Sequence, residues 1–318
     1  MDQGVQVVLG AGGGIGGALV DELVRRELPV RAVTRATAGV PAGAENVVAD
    51  LDSTDSTREA LAGAAVVYHA AAPPYHRWPE RFPPLNASVV TACSAVGARL
   101  VFADNLYMYG PDAGVMTEQT PPRATDRKGR LRAGLAEQLL VAHAAGELDV
   151  VIGRATDYFG PGGVNSSLGT TLFGAAVKGV TVRWLGSIDV AHSVVYLPDL
   201  ARALVTLGLA EEASGRIWHL PPTDSPTGRE FVGLVAEAIG SPIKASATPP
   251  WLLRLVGLFR PEVREIGDIS YQWTAPFVTS DAAFQDAFGP FEPTPLPDAV
   301  AATVAWFKER AAAHEAAS

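Results

Sequence analysis

The chain has 318 residues, 48% hydrophobic and 19% charged, with a formal net charge of −9. That length suits one large domain or a domain with a smaller lobe, and the composition excludes a mainly disordered chain. Gly (32) and Pro (24) keep no fixed period, which excludes collagen, and the negative balance argues against nucleic acid as a partner because it repels phosphate backbones.

In chain order, short Val/Ile/Leu runs predict strands at Val5–Leu9, Val30–Thr34, Val47–Ala49, Ala65–His69, Leu100–Ala103 and Val150–Gly153. Helical stretches lie between them, near Ile15–Glu27, Thr57–Leu61, Leu85–Val96 and Leu131–Ala144. Apolar strands alternating with helices predict an α/β fold: a Rossmann-type doubly wound parallel sheet covered on both faces. The rhythm breaks at Gly160-Pro161-Gly162-Gly163. Beyond it come a helix near Ser166–Val177, short strands near Thr181–Trp184 and Ser193–Tyr196, a helix opened by Pro198-Asp199, and a last helix around Pro297–Ala313. The division expected is a cofactor-binding domain over 1–160, rejoined by 183–220, with a smaller mixed substrate lobe from 161–182 and 221–318.

Cys93 is the only cysteine, which excludes an internal disulfide and a thiolate zinc cluster. Met1-Asp2-Gln3-Gly4 has no signal-peptide character, and Arg254 interrupts the most apolar late segment, Trp251 to Phe259. A soluble cytoplasmic protein with no membrane partner and no metal site is the expectation.

Gly10-Ala11-Gly12-Gly13-Gly14-Ile15-Gly16 follows the first predicted strand and opens the first helix. That context separates a dinucleotide fingerprint from a glycine-rich turn without a ligand. Gly10 permits the tight turn, Gly12 and Gly13 let amides approach a pyrophosphate, and Gly16 lets the helix sit close on the strand. A site for NAD usually places Asp or Glu at the end of the second strand. Here that strand reads Val30-Arg31-Ala32-Val33-Thr34-Arg35. Arg35 stands where a 2′-phosphate would lie, so NADP is favoured over NAD; the alternative is a solvated surface arginine.

The spacing Gly10-x-x-Gly13-x-x-Gly16 resembles the extended short-chain dehydrogenase/reductases, the NAD(P)-dependent epimerase/dehydratase type. Other segments agree in order: Ala49-Asp50-Leu51, Val67-Tyr68-His69-Ala70-Ala71, Tyr109-Gly110, Arg154 with Tyr158-Phe159-Gly160-Pro161, and Pro198-Asp199. The likeness covers about residues 5–220. It implies cofactor contacts at Gly10, Gly12, Gly13, Gly14, Ile15, Gly16, Thr34, Arg35, Asp50, Leu51, Ala70 and Ala71, a small-molecule substrate, and a homodimer.

The family's reaction uses Tyr-x-x-x-Lys on the helix after the fifth strand, one turn apart on one face. This sequence has no such pair: Gly129 and Ala133 stand at those positions, and Asn105 stands at the position of the upstream serine. Strand ends at the carboxyl edge of a parallel sheet point into the ligand crevice. That rule nominates Asp104, Asn105 and Tyr107 after the fifth strand and Asp157 and Tyr158 after the sixth, of which Asn105, Tyr107 and Asp157 are taken as the catalytic set. Asn105 can hold a carbonyl, Tyr107 can give a proton if a neighbouring cation lowers its pKa, and Asp157 is a base or a polar anchor. For Asn105 and Asp157 the competing role is loop capping. Lys128 either reaches the cofactor ribose or belongs to a solvated basic run, Arg127–Arg132. Tyr109 is read as packing, His69 as structural, and His192 as either facing substrate or buried and satisfied. The loop Pro73–Pro84 is read as a wall over the nicotinamide end.

Trp251, Leu252, Leu255, Val256, Leu258, Phe259, Tyr271, Trp273 and Phe277 make the C-terminal part aromatic and apolar, which suits a largely apolar ligand. The expected function is an NADP(H)-dependent oxidoreductase acting on a carbonyl or alcohol. Two alternatives stand beside it: a non-redox isomerase, cyclase or lyase that keeps NADP(H) as a structural part, and a cofactor-sensing binding protein without turnover.

Overall fold

A computed structural model describes residues 4–36, 42–111, 113–249, 251, 255 and 267–316. The chain runs β1 (Val5–Leu9), α1 (Gly14–Arg25), β2 (Val30–Thr34), β3 (Glu45–Val48), α2 (Thr54–Ala60), β4 (Ala64–His69), α3 (Trp78–Val96) and β5 (Arg99–Asp104). Then come β6 (Val115–Met116), α4 (Arg127–Ala144), β7 (Val150–Arg154), β8 (Asp157–Phe159), a wide π-type helix over Gly169–Gly174 and α5 (Ala175–Val177). The remainder is β9 (Val182–Leu185), β10 (Val194–Tyr196), α6 (Leu197–Leu209), β11 (Ile217–His219), α7 (Gly228–Ile239), β12 (Ala245–Thr248), β13 (Val278–Thr279), α8 (Ala282–Phe288) and α9 (Leu296–Ala316).

Seven of these strands form one sheet in the order β11-β7-β5-β4-β1-β2-β3, and every pairing is parallel. Successive side chains in a strand point to opposite faces. Val7, Leu9, Val67, Leu100, Phe102 and Ile152 pack into the core shared with α2, α3 and α4. Val8, Tyr68, Val101 and Val151 meet Leu19, Leu23, Leu200 and Leu204 on the other face. Both faces are covered, which is why the strands read as unbroken apolar runs. From β1 the chain winds first to β2 and β3, then to β4, β5, β7 and β11 on the other side. The crevice of this fold therefore opens at the carboxyl ends of β1 and β4.

The helices begin where a side chain can satisfy their first amides. Ser53 accepts from Ser56 N at α2, Asp126 from Gly129 N at α4, and Thr227 and Glu230 form a reciprocal capping box at α7. The start of α1 differs: Gly13 caps it with no side-chain bond, and its first turn carries no acid. Helix α3 begins at Trp78, seven residues before the sequence reading, with Pro83 and Pro84 inside it. Their missing amides would serve carbonyls of the first turn, so the helix loses bonds only near its start and continues.

Beyond β7 a second core gathers Phe159, Phe173, Trp184, Phe231, Trp273 and Phe307. Two short parallel pairs border it, β8 with β10 and β9 with β12, while β6 with β13 lies at a smaller cluster of Leu106, Met108, Tyr109, Met116 and Phe277. Trp273 and Phe277 are buried, whereas Trp251 and Leu255 are 64% and 50% exposed. Leu252, Val256, Leu258 and Phe259 lie outside the described residues. Among the described residues no helix is long and apolar enough to cross a membrane, and no group of His, Cys, Asp or Glu could hold a metal ion.

The seat of α1 on β1 depends on bare backbone. A Cβ on Gly16 would lie 2.1 Å from Gly10 O, whereas one on Gly17 would come no closer than 3.6 Å to Ala11 O. Gly16→Ala is expected to cost about 1–3 kcal/mol or more, because α1 must lift off the turn. Gly17→Ala is expected to gain up to about 1 kcal/mol from helix propensity. Urea denaturation of both variants checks the contrast.

Candidate active site

The glycine turn joins β1 to α1 at the edge of the crevice. Gly10 has φ +84, and a Cβ there would strike Ala71 Cα at 2.7 Å, at the end of β4. Gly13 N donates to Gly10 O at 2.9 Å, and Gly17 N makes the first bond into the helix, to Gly13 O at 2.8 Å. The amides of Gly14, Ile15 and Gly16 thus precede the first intrahelical bond, at the positive end of the helix. An open cleft of about 640 Å³ starts at Gly12, Gly13 and Gly14 of this turn and runs along α1 past Asp21, Glu22 and Arg25, with Pro161 and Trp306 opposite; Thr34, Arg35 and Ala71 do not line it. An uncapped helix start, bare glycines and no first-turn acid are what an anionic diphosphate requires.

The remaining cofactor candidates surround that turn. Thr34 is buried, with Oγ1 donating to Ala36 O at 2.5 Å, and a Cβ on Gly12 would sit 3.8 Å from its methyl. Arg35, the next residue, is exposed. Asp50 is exposed and accepts from Asp52 N at 3.1 Å, while Leu51 packs into the core. Ala70 N donates to Leu9 O at 3.1 Å, which holds the end of β4 beside the turn. On α3, Asn86 is buried with its Oδ1 unpartnered.

At the carboxyl end of β5, Asp104 is fully buried and bonds two guanidinium groups. Arg132 Nε donates to Oδ1 at 2.7 Å, and Arg154 Nε donates to Oδ2 at 2.9 Å. Arg154 also donates to Tyr109 Oη at 2.8 Å, and Tyr109 Oη lies 2.6 Å from His219 Nε2. The tyrosine oxygen accepts from Arg154 and shares a second hydrogen bond with His219, whose direction follows the imidazole tautomer. Burial raises the Tyr109 phenol against the pull of Arg154, and burial with Arg154 nearby lowers His219 to about 4. Tyr109 is therefore more than packing: it carries the network from β7 to β11.

The basic run on α4 is not a solvated face. Arg127 and Arg130 are exposed, but Lys128 and Arg132, one turn apart, are buried. Lys128 Nζ sits 3.0 Å from the centre of the Tyr75 ring. Arg132 lies 5.6, 5.0 and 4.8 Å from the rings of Trp78, Phe82 and Phe102. Aromatic faces and the Asp104 carboxylate compensate the burial of these cations. Gly129 between them has no room for a side chain. A Cβ there would come within 2.3 Å of Ala124 Cβ and 2.6 Å of Tyr107 O.

The three residues nominated for catalysis sit at strand ends. Asn105 accepts from Tyr107 N at 3.1 Å through Oδ1, so it caps its own turn and keeps Nδ2 for another partner. Tyr107 stacks on Trp78 with ring centres 6.2 Å apart, and its carbonyl accepts from Tyr271 Oη at 3.0 Å. The lowered phenol expected for Tyr107 does not occur. Burial pushes it well above the usual range, Asp157 and Tyr158 add to that, and Tyr75 and Arg132 offset only part. Tyr107 therefore keeps its proton more tightly than an ordinary phenol. Asp157 opens β8; its Oδ1 accepts from Ser167 Oγ at 2.7 Å and its Oδ2 lies 2.8 Å from His192 Nε2. The sequence reading missed Arg132 and His219. The signal for Arg132 was an acid ending an apolar strand, which needs a cation when buried.

Residues 6–220 match the NAD dependent epimerase/dehydratase family, which is more than half of the chain. No curated protein matches in sequence. Among solved structures, a dTDP-glucose 4,6-dehydratase from Streptomyces venezuelae with NAD bound is 19% identical over 97% of this chain and 98% of that one, with a TM-score of 0.78. A UDP-glucose 4-epimerase from Thermus thermophilus in complex with NAD is 22% identical over 96% and 99%, at 0.77. A UDP-glucuronic acid 4-epimerase from Bacillus cereus, with UDP-glucuronic acid and NAD, is 15% identical over 96% and 99%, at 0.79. At these identities the likeness is one of fold.

Two imidazoles link the buried network to pH. His69 is lowered to about 3, by burial first and then Arg132, and His219 to about 4. Both stay neutral when folded but take a proton near pH 6.5 when unfolded, so the unfolded chain binds more protons below that value. Unfolding free energy is expected to fall on acidification by roughly 1.4 kcal/mol per pH unit for each imidazole, from about pH 6.5 down to the folded value. Urea titrations at a series of pH values should show this slope, and His219→Gln should reduce it.

Proposed function

The chain belongs to the NAD dependent epimerase/dehydratase family, and from that premise we propose that it is an NADP(H)-dependent oxidoreductase acting on a carbonyl or alcohol of a small, largely apolar molecule. The observation that carries the reading is the exchange of parts beside α4. The seat of the family tyrosine is Gly129, filled by Ala124 and the Tyr107 carbonyl, while Tyr107 itself stands at the end of β5 with its proton held on. The cofactor unit comprises 1–160 with 183–220, and the remaining residues supply the substrate lobe.

The amides of Gly14, Ile15 and Gly16 would hold the diphosphate, with Gly12 and Gly13 allowing close approach. Arg35, exposed past the end of β2 with no acid beside it in that strand, would meet a 2′-phosphate. The neighbours named above contain NAD; Arg35 is what turns the choice toward NADP here. NADP(H), when bound, supplies or accepts the hydride. Asn105 Nδ2 and the Tyr107 hydroxyl would donate to the substrate carbonyl oxygen. Tyr107 would release its proton as that oxygen gains charge, which a phenolate could not do. Asp157, bordering Tyr107 electrostatically, would exchange a proton with the substrate or with Tyr107.

One observation favours a second reading. Asp157 is bonded to a buried histidine, an arrangement suited to proton transfer alone. A non-redox isomerase, cyclase or lyase with NADP(H) retained would need no more. The two differ in stoichiometry. Redox turnover consumes one NADPH per product from an aldehyde or ketone; conversion at constant NADPH, with no label passing from deuterated cofactor, favours the non-redox reading.

Arg35→Ala is expected to weaken NADP about 10- to 100-fold and leave NAD nearly unchanged. Calorimetric titration with both nucleotides checks it, and equal losses would remove the phosphate assignment. Tyr107→Phe should depress NADPH turnover while leaving NADP affinity close to that of the parent.

A further inference from the structure

His192 has no role in the redox reading above, yet its surroundings are unusually specific. It is 1% exposed and lies between two aromatic planes: Trp273 at 3.8 Å and 9°, and Phe277 at 5.4 Å and 20°. Its Nδ1 is 3.1 Å from Gln272 O, and its Nε2 is 2.8 Å from Asp157 Oδ2. A backbone carbonyl only accepts, so Nδ1 carries hydrogen. Asp157 accepts from Ser167 on its other oxygen, which is how a carboxylate behaves. With Asp157 ionised, an acceptor stands on each side of the ring and both ring nitrogens donate. The flanking aromatic faces favour a cation between them.

We propose that His192 is a positioning residue, held as an imidazolium, that keeps Asp157 ionised and aimed into the crevice as the proton-accepting group of the site. The inference rests on Asp157 meeting substrate, as argued above. It adds the class of substrate: one that presents a removable hydrogen on a hydroxyl or on a carbon beside a carbonyl. Asp157 takes that proton, and its own bond to His192 holds the pair at no net charge before the transfer. Of the other groups near Asp157, the Tyr107 and Tyr158 hydroxyls are both held protonated. Neither can serve as the base, which leaves Asp157.

The pair exists only because the C-terminal segment docks here. Ser193 N donates to Phe277 O and Phe277 N donates to Ala191 O, both at 2.9 Å, and Thr279 N donates to Ser193 Oγ at 3.1 Å. Those bonds bring the two aromatic planes and the Gln272 carbonyl against the residues that lead into β10, the partner of β8. The substrate lobe thus builds the acid–base group as well as the pocket wall.

The test is a ¹⁵N spectrum of the full chain labelled at its histidines, six in number, at neutral pH. His192→Gln identifies the resonances of His192 by their loss. The expected result is one-bond coupling to hydrogen at both ring nitrogens of His192 in the parent protein. In Asp157→Asn, where an amide can turn a donor toward the ring, Nε2 should lose that hydrogen while Nδ1 keeps it. A bare Nε2 in the parent protein would overturn the proposal. The parent spectrum decides even if a variant fails to fold. It needs neither cofactor nor substrate, so a negative result here leaves the redox reading standing, and a failure of NADPH turnover leaves this pair standing.

Discussion

The crevice takes its shape from one buried carboxylate. Asp104 ends β5 inside the protein and is shared by Arg132 from α4 and Arg154 from β7. Its backbone oxygen also accepts from Ala155 N at 3.0 Å. Three elements therefore converge on a single residue, and the chain leaves that point in both directions that matter, toward Asn105 and Tyr107 and toward Asp157. The hand-over from Arg154 to Tyr109 and His219 extends the same network to the sheet edge. Removing one member of such a set leaves charges buried without partners, at about 3–5 kcal/mol. The network is thus a constraint on everything placed around it.

That constraint leaves no room for a tyrosine on the inward face of α4 at Gly129. The inward face of α4 is occupied by Lys128 and Arg132, both anchored on rings of the Tyr75–Phe82 region. Gly129, where the family tyrosine would project, instead lets the Tyr107 turn press against the helix. In the proposed function, chemistry that the resemblance assigns to a helix falls to strand ends. In the proposed reaction a neutral phenol and a carboxylate divide the work that tyrosine and lysine share elsewhere, and neither needs a depressed phenol pKa.

The sheet was legible in the sequence because β1, β2, β4, β5 and β7 are buried on both faces and read as continuous apolar runs. The glycine turn was legible because strand, turn and helix fall in immediate succession. What escaped was tertiary. The start of α3 was hidden by Pro83 and Pro84, which look like helix breakers but sit early enough to be tolerated. Lys128 and Arg132 looked solvated because a run of cations says nothing of the aromatic rings that receive them. The short β11, with His219, lies in the central sheet but is only a few residues long, and its pairing with β7 is made at a distance in sequence. Tyr107 was nominated from its place after the fifth strand, but its protonation depends on burial, which no local pattern reports.

The central claim is that the bare start of α1 is the seat of a dinucleotide diphosphate, with Arg35 beside it. Amide hydrogen exchange measured with and without saturating NADP is the direct test. Protection confined to the Gly10–Gly16 turn and the Thr34–Arg35 strand end is the result the account predicts. Exchange in those segments that is identical with and without the nucleotide would contradict it.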